Sequence, residues 1–255
     1  MSGRKFTALL LAGERPGGDP FAKSQGVAAK ALIAIGGAPM IVHPLAALTG
    51  SRRIEQVLVL TQRPERIAPV LEANPKWALL PSKGTIAETL LALGEGGDVQ
   101  WPMLVTTADH ALLTTAMVDQ FASQAEGADL ALAVVTRSAF RSRFPDNRRT
   151  WIGFRGGRYT GANLFALGSP KALAAVRLWR GIEQDRKKGW RLLLALGWPG
   201  LLGLLRLRTL DQTLAAVARK FGMTATVVRM NDPRAAIDVD KAADLALAER
   251  LMARR

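Results

Sequence analysis

The chain has 255 residues, 49% hydrophobic and 22% charged, the composition of a globular protein with a substantial core. It has no cysteine, which excludes disulfides and thiolate zinc sites and fits a reducing compartment such as the cytosol. A net charge of +14 favours anionic partners, and residues 171–222 hold eleven Lys or Arg against three acidic residues, which is +8 of that total.

The apolar run 6–11 follows Arg4 and Lys5. It is too short for a signal peptide and meets Glu14 and Arg15 at once, so it predicts a buried strand. Pro39–Leu48 predicts a helix with Pro near its first turn, Ile54–Leu60 a second strand, and Pro64–Ala73 a helix. Trp77–Leu80 reads as short and extended, residues 85–93 as helical, and Met103–Thr107 as another strand. Thr114–Glu126 then reads as a helix and Asp129–Thr136 as a strand. This alternation predicts an α/β fold with a mainly parallel sheet and ligands at the strand C-termini.

From Arg137 to Arg149 a polar, Arg-rich loop is expected, suited to an acceptor phosphate through Asp146, Arg148 and Arg149 or simply exposed. Trp151–Phe154 and Tyr159–Leu167, joined by Gly156-Gly157, read as a β-hairpin. Ser169-Pro170 supplies an N-cap and first-turn proline for the next helix. Ala225–Met230 reads as a strand and Asp240–Met252 as a closing helix. A single domain over 1–255 is expected, with 170–222 a basic, apolar helical elaboration within it.

Leu192–Leu205 runs fourteen residues without a charge, broken by Gly197-Trp198-Pro199-Gly200 and flanked by Arg186-Lys187-Lys188 and Arg206/Arg208. It is too short and interrupted to span a bilayer. Two readings stand: a helical hairpin buried in the core or a dimer interface, or a patch on an anionic membrane formed by 186–208. Trp179, Trp190 and Trp198 are expected to pack rather than to stack on bases.

Two motifs carry chemistry. The first apolar run breaks into a Gly-rich basic loop, Gly13-Glu14-Arg15-Pro16-Gly17-Gly18, with Lys30 beyond it. Glycines let backbone N–H groups approach phosphates, and basic side chains neutralise them. The run Met103–Thr107 leads to Asp109-His110, and an aspartate at a strand end can hold a metal or cap the next helix. His110 has no second histidine nearby for a metal cluster, because His43 sits in a helical stretch, and a positioning or packing role is expected of it.

Leu9-Leu-Leu-Ala-Gly13-Glu-Arg15, followed by Lys30-Ala-Leu-Ile-Ala-Ile-Gly-Gly-Ala-Pro39-Met40-Ile41, resembles the start of the MobA-like nucleotidyltransferases. The resemblance continues through Lys83-Gly84-Thr85-Ile-Ala-Glu-Thr89, Thr106-Thr-Ala-Asp109-His-Ala-Leu-Leu-Thr114 and Ala236-Ile-Asp238-Val-Asp240. It implies a Rossmann-like, three-layer α/β/α fold of the glycosyltransferase-A type. It also implies an enzyme that transfers a nucleotidyl group from a nucleoside triphosphate to a phosphorylated metabolite and releases pyrophosphate. Carried over residue by residue, Arg15, Lys30 and Asp109 are catalytic. Leu11, Ala12, Gly13, Gly17, Gly18, Lys83, Gly84, Thr85 and Thr89 bind the nucleotide. His110 and Asn163 border the acceptor, and Asp109 and Asp238 hold Mg²⁺. Asp240 competes for the second metal place or serves as a helix N-cap.

The loop departs from the family pattern. Glu14 stands where glycine is common, and fourteen residues separate Arg15 from Lys30. Either Arg15 or Lys23 fills the basic slot. CTP is expected ahead of GTP, because a lipid-headgroup precursor suits the basic, apolar elaboration. The alternatives are a guanylyltransferase for a cofactor precursor and a non-catalytic nucleotide-binding scaffold on a membrane surface. No nucleic-acid partner is expected, a homodimer is open, and the location expected is cytoplasmic, with a peripheral seat on the inner membrane face if 186–208 meets lipid.

Overall fold

The computed structural model describes residues 3–14, 17–82, 84–97, 99–147, 149–184, 197–203 and 205–253. The strands are β1 (Phe6–Leu11), β2 (Ala34–Ile35), β3 (Ala38–Pro39), β4 (Ile54–Thr61), β5 (Trp77–Pro81), β6 (Met103–Thr107), β7 (Leu130–Thr136), β8 (Ile152–Phe154), β9 (Gly157–Leu167) and β10 (Ala225–Arg229). The helices are α1 (Pro20–Ser24), α2 (Val42–Gly50), α3 (Pro64–Ile67), α4 (Ile86–Gly96), α5 (Thr115–Ala125), α6 (Arg137–Arg143), α7 (Leu173–Gln184), α8 (197–203), α9 (Leu210–Lys220) and α10 (Ala242–Met252).

β1 is buried along its whole length. Successive side chains of a strand point to opposite faces, so Phe6, Ala8 and Leu10 enter one core while Leu9 and Leu11 enter another. A strand buried on both faces belongs in the middle of a sheet covered by helices on each side. The main sheet accordingly runs β10-β7-β9-β6-β1-β4-β5, with β8 added to β9. β1 pairs parallel with β4 and β6, β4 with β5, and β10 with β7, while β9 runs against the rest. On one face α2, α5 and α10 contribute Leu48, Phe121 and Ala248 to the core. On the other, α4 and α7 contribute Leu90, Leu173 and Val176. The result is the three-layer α/β/α arrangement that the alternation and the resemblance implied.

Four element boundaries differ from expectation, each for a local reason. Pro39 belongs to β3, which pairs antiparallel with β2 around Gly36-Gly37, both at positive φ, as a two-residue hairpin turn requires. The helix therefore begins only at Val42. α3 gives way to a 3-10 turn, Ala68–Val70, because Pro69 has no N–H to continue the ladder. The expected loop after Arg137 begins instead as α6, capped by the Thr136 hydroxyl accepting from Ala139 N at 3.3 Å. Its arginines hid the helix, since a single anchor, Phe140, carries its buried side; that ring stands 5.2 Å from Phe144 and 5.6 Å from Trp151. Finally, Lys241 rather than Asp240 precedes α10, without a side-chain cap.

Trp179 packs on Phe165 with ring centroids 6.1 Å apart, as expected of it. Trp190 and much of the charge-free stretch, residues 192–196 and 204, lie outside the described residues. Trp198 does not pack: it is 75% exposed on α8, and Leu205 and Leu207 beside it are more than half exposed.

Phe140 is fully buried and pins α6 to the first core. Phe140→Ala is expected to cost about 3–5 kcal/mol, read as a shift of the urea unfolding midpoint without a change in slope.

Candidate active site

Parallel pairing of β6, β1, β4 and β5 puts their C-terminal ends on one edge of the sheet. The loops after them, beginning at 12, 62, 82 and 108, gather there. Ala108 N donates to Leu11 O at 2.9 Å and Ala12 N to Leu60 O at 2.8 Å, so the strand pairing extends into the loops. Leu11 and Ala12 are buried at this junction.

Lys30 opens a 3-10 turn, Lys30–Leu32. Its Nζ donates to Asp109 Oδ2 at 2.7 Å and also to Asp240 Oδ1. Burial alone would lower the Lys30 ammonium, but the two carboxylates outweigh it and hold it above its ordinary range. The Asp109 carboxylate also accepts from the Thr107 hydroxyl, and Val239 N donates to Asp109 O at 3.0 Å. That backbone bond draws the segment carrying Asp238 and Asp240 against β6. Arg149 Nη1 in turn donates to Asp238 Oδ1, and its Nη2 is buried without a hydrogen-bond partner among the described residues. Asn163 Nδ2 stands 3.5 Å from Asp238 Oδ2. Asn163 has φ +45, in the left-handed region where asparagine is more tolerant than most residues, at the place where β9 slips register against β7. The carboxylates available to a metal here are Asp109, Asp238 and Asp240.

His110 is completely buried behind this cluster, with Nδ1 3.3 Å from the Thr106 hydroxyl. Burial pushes its pKa down to about 4, against the opposing pull of Asp109 and Asp238, so the ring is neutral at pH 7. The expectation that it borders the acceptor is therefore corrected: the ring packs behind Asp109 and presents no surface to a ligand.

The Gly loop is held in an unexpected way. Glu14, the departure from the family pattern, accepts from Arg66 Nη1 at 3.1 Å, and its N donates to Gln62 Oε1 at 2.8 Å. The loop after β1 is thus fastened to the element after β4. Gly13 is exposed beside Gln62, and Gly17 and Gly18 take φ +86 and +82, which side chains resist. Lys23 Nζ folds back to Gly17 O at 3.0 Å. Of the two candidates for the basic slot, Lys23 touches the loop, and Arg15 lies outside the described residues.

Lys83 also lies outside the described residues. Next to it, Gly84 has φ +74, and a Cβ there would come within 2.2 Å of Glu88 Oε2. Thr85 and Glu88 form a capping box at the start of α4, and the Thr89 hydroxyl donates to Thr85 O at 3.0 Å. The segment is rigid and faces the same sheet edge through β5, but its hydroxyls are engaged in the helix cap.

Sequence reasoning did not select Arg149 as a partner of Asp238, nor Gln62 and Arg66 as holders of Glu14. The second pair had a signal: both follow β4, and parallel pairing with β1 puts the two loops side by side. Arg149 had none beyond its Arg-rich surroundings, since 89 residues separate it from Asp238.

A parallel sheet with a Gly-bearing loop after one central strand and a carboxylate after its neighbour offers a place for a phosphate-bearing ligand at the strand C-termini. The chain belongs to the MobA-like NTP transferase domain family, which matches residues 8–198, and it is a transferase of the nucleotidyltransferase kind. A hypothetical transferase from Thermus thermophilus is similar at 29% identity with a TM-score of 0.78, over 94% of this chain and 99% of that chain. Two further solved structures share the fold at 15% identity, each with a TM-score of 0.59 over 98% of this chain and 99% of the other. They are 4-diphosphocytidyl-2C-methyl-D-erythritol synthase and CMP:2-keto-3-deoxy-manno-octonic acid synthetase complexed with CTP. Among curated proteins no sequence matches the chain.

The Arg149–Asp238 pair is mostly shielded from water. Arg149→Gln is expected to lower stability by about 1–2 kcal/mol, between the values of exposed and buried pairs. Adding Asp238→Asn should restore part of the loss, so a double-mutant cycle by urea unfolding gives a non-zero coupling.

Proposed function

We propose that this enzyme transfers a nucleoside monophosphate from a nucleoside triphosphate, CTP ahead of GTP, to a phosphorylated acceptor and releases pyrophosphate. The observation that carries the reading is the Lys30 ammonium standing between Asp109 and Asp240, next to the Arg149–Asp238 pair. In such a transfer an acceptor phosphate oxygen attacks the α-phosphorus and the bond to the pyrophosphate oxygen breaks, so the protein's task is alignment and charge neutralisation. The loop of Gly13, Gly17 and Gly18 cradles the triphosphate, and Lys30, with Arg15 or Lys23, neutralises it. Gly84, Thr85 and Thr89 meet the base, with Lys83 beside them. Asn163 and Arg149 orient the acceptor phosphate next to Asp238.

Mg²⁺ fits the donor set: Asp109 and Asp238 offer hard carboxylate oxygens on segments joined by the Val239 N to Asp109 O bond. Among the described residues no group of three His, Cys, Asp or Glu side chains is placed to hold a metal ion, so water and phosphate oxygens would have to complete the shell around two carboxylates. The ion would supply neutralisation of phosphate charge.

CTP as donor follows from the basic, apolar elaboration, which suits a lipid-headgroup precursor. The fold neighbours named for cytidylyl compounds point the same way. A peripheral seat on the inner face of a membrane is favoured by the exposure of Trp198, Leu205 and Leu207 around Arg206 and Arg208. No helix among the described residues is long and apolar enough to cross a membrane.

The test is a thermal-shift panel of CTP, GTP, ATP and UTP with and without Mg²⁺, followed by pyrophosphate release. A nucleotide at one hundred times its dissociation constant adds about 2.7 kcal/mol. A Mg²⁺-dependent shift for CTP is expected, abolished in Asp109→Ala, with turnover reduced about 10²–10³-fold in Lys30→Gln. Turnover of GTP alone would replace the donor, and no shift with any nucleotide would sink the transferase reading. For the membrane seat, co-sedimentation with anionic vesicles is expected to fall at least several-fold in Trp198→Ser/Leu205→Ser; equal binding by this variant would reject it.

A further inference from the structure

The same molecule carries a second basic concavity that the transfer reaction does not use. A cavity of about 750 Å³ opens where β7 ends and β9 begins. Arg137 and Arg141 of α6, Arg158 of β9, and Arg206 line it together with Thr136 and Tyr159. Thr136 and Tyr159 are register partners across β7 and β9, which is what brings the arginine-bearing elements to one place.

Its charge is unbalanced. No aspartate or glutamate lines the cavity. Among the described residues none of the four arginines is in an ion pair, whereas the active-site cations Lys30 and Arg149 both are. Arg141 spends one N–H on Pro145 O at 2.8 Å. Arg137 Nε is buried with no hydrogen-bond partner among the described residues, and a buried guanidinium N–H without an acceptor is destabilising. Arg206 has φ +59, an uncommon conformation for a residue with a side chain. Its guanidinium lies on Gly153, where a Cβ would come within 2.8 Å of Nε. Below it Tyr159 is fixed by Arg229, which sits 5.6 Å from the ring centre and is itself forked onto Asp211.

Four cations with no counter-charge among the described residues, one of them missing an acceptor there, fit a ligand group that brings several anionic oxygens at once. Guanidinium forks match phosphate oxygens in pairs, which a single carboxylate or halide does not exploit as fully. None of Lys30, Asp109, Arg149, Asn163, Asp238 and Asp240 lines this cavity, which sets it apart from the Asp109 cluster.

We propose that this cavity is a phosphate-binding site, taking the phosphate ester group of a ligand independently of the nucleotide site. A soluble phosphate ester and an anionic lipid headgroup present the same oxygens, and the experiment separates these sources. Tyr159 is the chain's single tyrosine, so fluorotyrosine incorporated into the full-length protein gives one ¹⁹F resonance that reports on this cavity. One arm titrates inorganic phosphate against chloride at constant ionic strength. The other compares phosphatidylcholine vesicles with and without phosphatidic acid.

A saturable displacement of the resonance is expected. Response to phosphate assigns the site to soluble esters; response only to phosphatidic acid assigns it to headgroups. The midpoint is expected to rise about tenfold or more in Arg158→Gln, an exposed position that spares the fold, and to stay unchanged in Asp109→Ala. No saturable displacement in either arm, or one indifferent to Arg158→Gln, overturns the site. Failure of nucleotide turnover with the displacement intact would remove the proposed transfer at the Lys30–Asp109 site and leave this inference standing.

Discussion

The site depends on one shielded cation. Lys30 reaches Asp109 across 79 residues of chain and Asp240 across 210, and its ammonium is mostly withdrawn from water. A charge taken out of water is tolerated only with close partners, and two carboxylates brought together repel unless a cation stands between them. The loop ahead of β2, the end of β6 and the segment before α10 therefore meet through a single group. Arg149 and Asp238 repeat the device one step along, giving a patchwork of alternating sign at the sheet edge. In the proposed reaction that balance is what an incoming triphosphate disturbs, since it competes for the lysine and leaves the carboxylates in want of another cation.

Much of this layout is legible in the residues. The apolar run Phe6–Leu11 marks a strand buried on both faces, and the alternation of such runs with helical segments implies a parallel sheet covered on each side. Position along the sheet edge then follows too, because parallel strands put Gly13, Gly84 and Asp109 at the same end. What pattern cannot supply is contact between distant loops. Arg149 sits in a stretch whose composition reads as solvated, and only the sheet order carries it to Asp238. Asp240 looks like a helix cap because aspartate before a helix usually is one; here the pull of Lys30 outweighs capping. The packing role expected of His110 agrees with its burial, since the turn after β6 carries it into the core behind Asp109.

The positive charge of the chain is handled in two ways. At the sheet edge Lys30 lies between two carboxylates and Arg149 pairs with Asp238, so their electrostatic cost is settled inside the protein. In the arginine cavity beside Tyr159 no such compensation exists among the described residues. A protein that keeps like charges together without neutralising them holds the region poised for an anion, at some expense in stability.

β9 has a consequence for biosynthesis. It is the reversed strand that separates β6 from β7, so these two parallel strands cannot join the same sheet until residues 157–167 have been made. Asp238 and Asp240 leave the ribosome later still. Chains begin to fold from the N-terminal side while they are being synthesised. A nascent chain can therefore close Lys30 on Asp109 early, but it lacks two of the three carboxylates at this edge until almost the last turn of translation. The order of elements acts as a timer: no fragment released early carries the assembled cluster of Lys30, Asp109, Asp238 and Asp240.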